Sequence, residues 1–385
     1  MLILKLLVRN VFRHRLRSGL TILGIAIAIL AFGLLRTVIT TWYLGVEASS
    51  ATRLVVRNAV SLIFPLPLAY KDRIRQVEGV TKVSYGNWFG AYYIDKKNFF
   101  ANFAVEPRTY LDLYPELVMD PGEKNDFFRD RRGCVAGIKL VERFGWKIGS
   151  GLTLQGTIYP GNWDFVLRGV YRGRDRNVDE TQLFFHWDYL NERMKREEPA
   201  RADQIGFLMV GVKSPDIAPQ VAQAIDGQFR NSLAETLTET EKAFTQGFLS
   251  MTEAIVVAIR VVSYLVIFII LAVVANTMAM TTRERIGEYA VLKTLGYGSK
   301  ALAALIFGES LLVTMLGCIV GIALTFPAAS AFGSALAAYF PYFHVETETL
   351  FLDAAAALMV GVLSALLPAR RAIQIRIADG LRKVG

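Results

Sequence analysis

Residues 281–296 read TTRERIGEYAVLKTLG, with Arg283, Glu284, Arg285 and Glu288 crowded at the front and apolar residues behind them. At 3.6 residues per turn such a stretch would make about four helical turns. A chain that only needed to reverse direction between two apolar segments would use a few polar residues. Long side chains of both signs beside Tyr289, Leu292 and Leu295 suit the chemistry of docking, with ion pairs at a rim and apolar groups in a groove. The stretch looks built to press against a partner on one side of a membrane. Gly296 and Gly298 are placed to end the helix and turn the chain back.

Bond-making chemistry finds little support. The chain contains no GxxxxGK[ST], HExxH or GxSxG, so it carries no phosphate-cradling loop, zinc helix or nucleophile elbow of its own. Gly296-Tyr297-Gly298-Ser299-Lys300 is too short to wrap phosphates. His14, His186 and His344 are scattered, and Cys134 and Cys318 lie in unlike contexts, so neither a metal site nor a disulfide is expected. Asp175, Asp179, Glu180 and Asp188 sit among arginines in polar stretches and read as surface ion pairs. The expectation is a protein that is not itself an enzyme and holds no catalytic residue, metal or cofactor.

The elements that must position the charged stretch are membrane spans. In 385 residues 53% are hydrophobic, and they are unevenly spread. The net charge of +9 is concentrated in three places: Lys5, Arg9, Arg13, Arg15 and Arg17; Arg283, Arg285, Lys293 and Lys300; and Arg370, Arg371, Arg376, Arg382 and Lys383. Basic clusters flanking apolar runs follow the positive-inside rule, which indicates lipid headgroups rather than nucleic acid. Leu2, Ile3, Leu6, Leu7, Val11 and Phe12 alternate with basic residues as in an interfacial amphipathic helix. The reading is therefore a cytoplasmic amphipathic helix (1–18), a first span (19–44), an extracytoplasmic domain (45–231), a stalk helix continuous with the second span (232–281), the charged helix (282–300), a third span (301–326), a short outer loop (327–349), a fourth span (350–368) and a cytoplasmic basic tail (369–385). The first apolar run exceeds the roughly 7–15 residues of a signal-peptide core, so it is taken as uncleaved. Arg36 and Arg260 are expected to snorkel at the outer interface. Gly317 and Gly321 form a GxxxG that could permit close helix packing.

The outer segment mixes strand and helix patterns. Strands are expected at 81–85, 91–94, 99–105, 133–138, 152–154, 165–171 and 204–212, and helices at 68–77, 139–144 and 217–229. This describes a mixed α+β domain, in one or two lobes, inserted into a four-span helical membrane protein.

Three stretches together resemble the MacB/FtsX-type ABC permeases: RNVFRHRLR at 9–17 leading into LTILGIA at 20–26; TRERIGEYAVLKTLG at 282–296 with GESLL at 308–312; and LPARRA at 367–372 closing on DGLR at 379–382. VEGV at 77–80 and FGWKIG at 144–149 extend the likeness over nearly the whole chain. The resemblance implies a permease working as a homodimer, or a heterodimer of paralogues, with two copies of a cytoplasmic ABC ATPase that binds the ATP. Nothing precedes the amphipathic helix, so that ATPase is expected on a separate polypeptide. Arg283, Glu284, Arg285, Glu288, Tyr289, Leu292, Lys293, Leu295 and Gly296 would form the coupling helix docked on the ATPase. ATP would then tilt the stalk and move the outer domain, which is called mechanotransmission. Implied roles are export from the periplasm or outer leaflet with a periplasmic adaptor and outer-membrane channel, FtsX-like regulation of a cell-wall hydrolase, or lipoprotein release. All place the protein in the inner membrane with both termini cytoplasmic.

Overall fold

A computed structural model describes residues 7, 9–175, 177–250, 252–335 and 343–374. Leu2, Ile3, Lys5, Leu6, Arg376, Asp379, Gly380, Leu381, Arg382 and Lys383, together with part of the expected outer loop, lie outside the described residues. The chain divides into two compact units, one of apolar helices and one running from Trp42 to Thr252.

Helix α1 (Arg15–Ala48) crosses into the second unit, where β1 (Arg53–Asn58), β2 (Leu66–Pro67), α2 (Tyr70–Ile74), β3 (Val80–Trp88), β4 (Ala91–Tyr93), β5 (Asn102–Val105), α3 (Pro107–Leu113), β6 (Leu117–Val118) and α4 (Pro121–Arg129) follow. Then come β7 (Gly133–Gly137), α5 (Ile138–Phe144), β8 (Gly151–Gly156), β9 (Gly161–Gly173), β10 (Leu183–His186), α6 (Trp187–Glu197), β11 (Gln204–Ile205), β12 (Phe207–Val212), α7 (Ala218–Phe229) and β13 (Thr236–Thr240). Ten strands join in one sheet in the order β13-β1-β12-β3-β5-β10-β7-β9-β8-β4, with β6 added on β9. β2 and β11 pair separately as a two-stranded antiparallel sheet.

Both faces of this sheet are covered, as strand alternation requires. In β1, Leu54 and Val56 enter one apolar cluster while Val55 enters the other. The larger cluster is aromatic-rich: Phe89 packs edge-on against Trp163 and Phe185 at 5.1 and 4.9 Å between ring centroids. In β9 a bulge breaks the alternation. Cys134 pairs with Leu167 but Val135 with Gly169, so one extra residue stands at Arg168. Leu167 and Tyr171 therefore occupy opposite faces although their spacing alone would put them on one.

The expected stalk is corrected. Residues 236–240 form an edge strand paired with β1, not a helix; α8 (Glu241–Ser250) follows, and α9 (Glu253–Glu284) is a separate helix. The ends of the domain are instead tied by charge. Buried Arg53 donates to Glu241 and Glu116 at 2.8 and 2.6 Å, while Glu241 also accepts from the Ser50 N–H and the Tyr114 hydroxyl.

The helical unit holds residues of α1 up to Thr41, then α9, α10 (Ile286–Thr294), α11 (Ser299–Ala335) and α12 (Thr347–Gln374). Among the described residues, four helices are long and apolar enough to cross a membrane. The third and fourth run beyond the expected spans, so residues 327–335 are helix rather than loop and 369–374 continue α12. The GxxxG is a packing device here. A Cβ on Gly317 would meet the Ile25 Cβ at 2.6 Å, and one on Gly321 the Ala26 carbonyl at 2.8 Å, so α11 lies directly against α1. Arg36 pairs with Glu348 at 3.2 Å, and Arg260 is exposed.

Candidate functional site

The charged stretch divides at Arg285. Helix α9 ends at Glu284, and Arg285 takes φ −101°, ψ 15° before α10 begins, in the bridge region between helical and extended backbone. Its N–H is shared between the Thr281 and Thr282 carbonyls at 3.2 and 3.3 Å. Helix α10 closes in a Schellman turn: the Tyr297 N–H reaches the Leu292 carbonyl and the Gly296 N–H the Lys293 carbonyl, with Gly296 at φ +92°. The helix has nine residues, about two and a half turns, not the four expected.

The break sends the Arg285 side chain into the helical unit, where it is 9% exposed. Its Nη1 donates to both carboxylate oxygens of Glu309 on α11 at 2.6 and 2.8 Å. Nε donates to Glu288 Oε2 at 2.9 Å, and the guanidinium lies over the Tyr289 ring at 5.3 Å. Glu309, 4% exposed, also accepts from Asn10 Nδ2 at 2.8 Å. Glu288 pairs as well with Arg13, and Arg17 grips both oxygens of Glu284 at 2.7 and 2.9 Å. Burial disfavours the Arg285 charge, but Tyr289, Glu309 and Glu288 outweigh it and hold the guanidinium more firmly protonated. Burial likewise opposes the Glu288 carboxylate, and the Arg285 and Arg13 hydrogen bonds overcome it, leaving its pKa below the ordinary range. Burial pushes the Tyr289 hydroxyl up to about 12.

The expected docking residues differ in exposure. Arg285 and Tyr289 point inward, and Tyr289 belongs to the same apolar cluster as Val11, Leu302 and Ile306. Leu292 packs against that cluster, and Lys293 donates to the Ile373 carbonyl at the end of α12 at 2.8 Å. Glu284 and Glu288 are occupied by the N-terminal arginines. Of the expected residues, Arg283, Glu284, Leu295 and Gly296 are exposed, Glu284 in its pair with Arg17, and Val291, Thr294, Tyr297 and Lys300 are exposed with them. Helical geometry explains the split, because six residues leave Tyr289 and Leu295 about 120° apart around the axis. Val291 and Leu295, four apart, share the outward face instead.

Glu309 and Asn10 were not singled out as site residues, although both lie in the stretches that carry the family likeness. Within Gly308-Glu309-Ser310 every residue makes a contact that fixes α11 in place. Gly308 lies against Leu7, Glu309 holds Arg285, and Ser310 donates to the Gly361 carbonyl of α12 at 2.8 Å. Asp353 on α12 is a second buried acid. Neither of its oxygens has a hydrogen-bond partner among the described residues, and its Oδ2 would lie 3.1 Å from a Cβ placed on Gly33.

Residues 18–228 match the MacB-like periplasmic core domain, and residues 260–377 the FtsX-like permease C-terminal domain. The chain belongs to the MacB/FtsX-type ABC transporter permeases. An uncharacterised ABC transporter permease of Methanocaldococcus jannaschii is 25% identical over 97% of this permease and 96% of its own length. Among solved structures, the periplasmic region of MacB from Actinobacillus actinomycetemcomitans covers 53% of the permease and 95% of that chain at 10% identity, with a TM-score of 0.38. The extracellular domain of the noncanonic ABC-type transporter YknZ from Gram-positive bacteria covers 49% of the permease and 100% of that chain at 12% identity, with a TM-score of 0.37. The order of the matched domains agrees with a mixed α/β domain that follows the first of four apolar helices. Membership of this family implies a cytoplasmic ATPase as partner.

Proposed function

We propose that this permease couples ATP hydrolysis by a separate cytoplasmic ABC ATPase subunit to movement of its MacB-like domain, and that this movement exports a substrate from the periplasm or outer leaflet. The observation that carries the reading is the α9–α10–α11 turn, where Val291, Leu295 and Tyr297 are exposed and lie in the chain between exposed Arg283 and Lys300. On an otherwise anchored turn, exposed apolar side chains in a segment flanked by charged residues suit insertion into a groove on another protein. The positive-inside rule puts this end, with both termini, in the cytoplasm, where ATP is available to the partner; the permease itself needs no cofactor. The protein works as a homodimer or with a paralogue, so that two ATPases meet. Its MacB-like outer domain favours export, with a periplasmic adaptor and outer-membrane channel as further partners, over FtsX-like control of a hydrolase.

The test is co-expression of the tagged permease with the ABC ATPase subunits of its own genome, purification in detergent and measurement of bound ATPase. Leu295→Arg with Tyr297→Asp should abolish co-purification while membrane insertion stays intact. Retention of the ATPase by that variant would remove this surface from the interface.

A further inference from the structure

The docking ridge leaves the buried ion pair behind it without a part to play. A force applied to α10 meets a break at Arg285, where the hydrogen-bond ladder of α9 does not continue straight into α10. A helix junction of this kind bends unless something else stiffens it. The stiffening element crosses the junction through side chains. Arg285 Nη1 donates to both Glu309 oxygens, Glu309 holds Asn10, and Glu288 bridges Arg285 to Arg13. One network thus joins the junction, α11 and the N-terminal segment. At the far end of α10, Lys293 is tied to the last turn of α12.

We propose that Arg285 and Glu309 are positioning residues that make this junction a rigid joint, carrying displacement of α10 into α11 and the N-terminal segment. The proposal rests on the ATPase-docking reading above. With Nη1 shared between the two Glu309 oxygens and Nε held by Glu288, the guanidinium is fixed from two sides by charge-assisted hydrogen bonds. A pair buried at 9% and 4% exposure is screened by water far less than a surface pair. Buried pairs are weak devices for stability as such, and fixing one arrangement is among their attested uses. Neither side chain is available to the ATPase, so their loss should uncouple the complex without releasing the partner.

The experiment uses the full-length permease with its co-purified ATPase in lipid nanodiscs, spin-labelled at Arg260→Cys on α9 and Phe326→Cys on α11. Both native cysteines are buried and free. ATP should change the distance between the labels in the otherwise unaltered complex. In Glu309→Gln and in Arg285→Lys the ATPase should still co-purify, the ATP-dependent distance change should disappear, and hydrolysis should fall by up to about 100-fold, the cost of a misplacement of about 1 Å. The charge-swapped pair Arg285→Glu with Glu309→Arg should restore part of both signals, which a merely structural loss of Glu309 would not. A Glu309→Gln complex that keeps its ATPase and shows the full distance change would overturn the joint. Failure of the unaltered permease to bind any ATPase would instead sink the docking reading, a separate outcome.

Discussion

At the scale of single residues, rotation about the helix axis decides more than residue type. Tyr289 and Leu295 look alike as groove fillers, yet one is 1% and the other 70% exposed. Arg283 and Arg285, two apart, face water and Glu309 respectively. His186 shows the same dependence on surroundings in the outer domain. Its Nε2 lies 2.7 Å from the Phe127 carbonyl and the ring packs on Phe127. Burial, resisted by that hydrogen bond and nearby acids, lowers its pKa from 6.5. The folded state then binds a proton less readily than the unfolded state, so this contribution to stability is complete above pH 6.5 and is lost as pH falls through the folded-state value. Denaturant melts of the full-length protein, followed by tryptophan fluorescence from pH 7.5 to 5, should show declining stability. His186→Asn, which keeps a donor for the carbonyl, should flatten that slope.

At the scale of elements, close approach and interruption matter most. The third apolar helix rests against the first through Gly317 and Gly321, where any Cβ would overlap Ile25, Ile29 or the backbone. Gly317→Val should destabilise the bundle by about 1–3 kcal/mol or more, as overpacking does in tight cores. Gly298→Val, at a glycine with nothing near its Cβ position, should cost much less. Thermal unfolding of the two variants in detergent makes the comparison, and equal melting temperatures would deny the glycines a packing role. The β9 bulge and the β13 edge strand are interruptions of the other kind. In each, a local pattern suited to a plain strand or helix gives way to pairing with strands distant in sequence.

For the whole molecule, the apolar helices and family membership establish a multi-pass membrane protein. The proposed orientation puts the α9–α10–α11 turn inside and the sheet domain outside. Single-cysteine labelling of intact cells tests this, because Cys134 and Cys318 are both buried and need not be replaced. Lys96→Cys, on an exposed turn of the sheet domain, should react with an impermeant maleimide from outside. Ser299→Cys, at the start of α11, should react only after permeabilisation. The reverse pattern would invert the topology and place the docking ridge away from cytoplasmic ATP.

Local composition by itself determined the four apolar helices, their basic flanks, most strands of the outer domain and the Gly296 turn. Each depends on hydropathy, periodicity or a single backbone requirement within a few residues. The residues of the charged stretch were legible too, but not which way they point. That depends on Glu309, 24 positions beyond Arg285, and on Asn10, 299 positions before Glu309. The tie of Arg53 to Glu241 spans 188 positions, and the shift of face within β9 depends on its register with β7. Only the tertiary structure decided these, because an ion pair between distant segments and a strand register leave no periodic trace in the sequence near either partner.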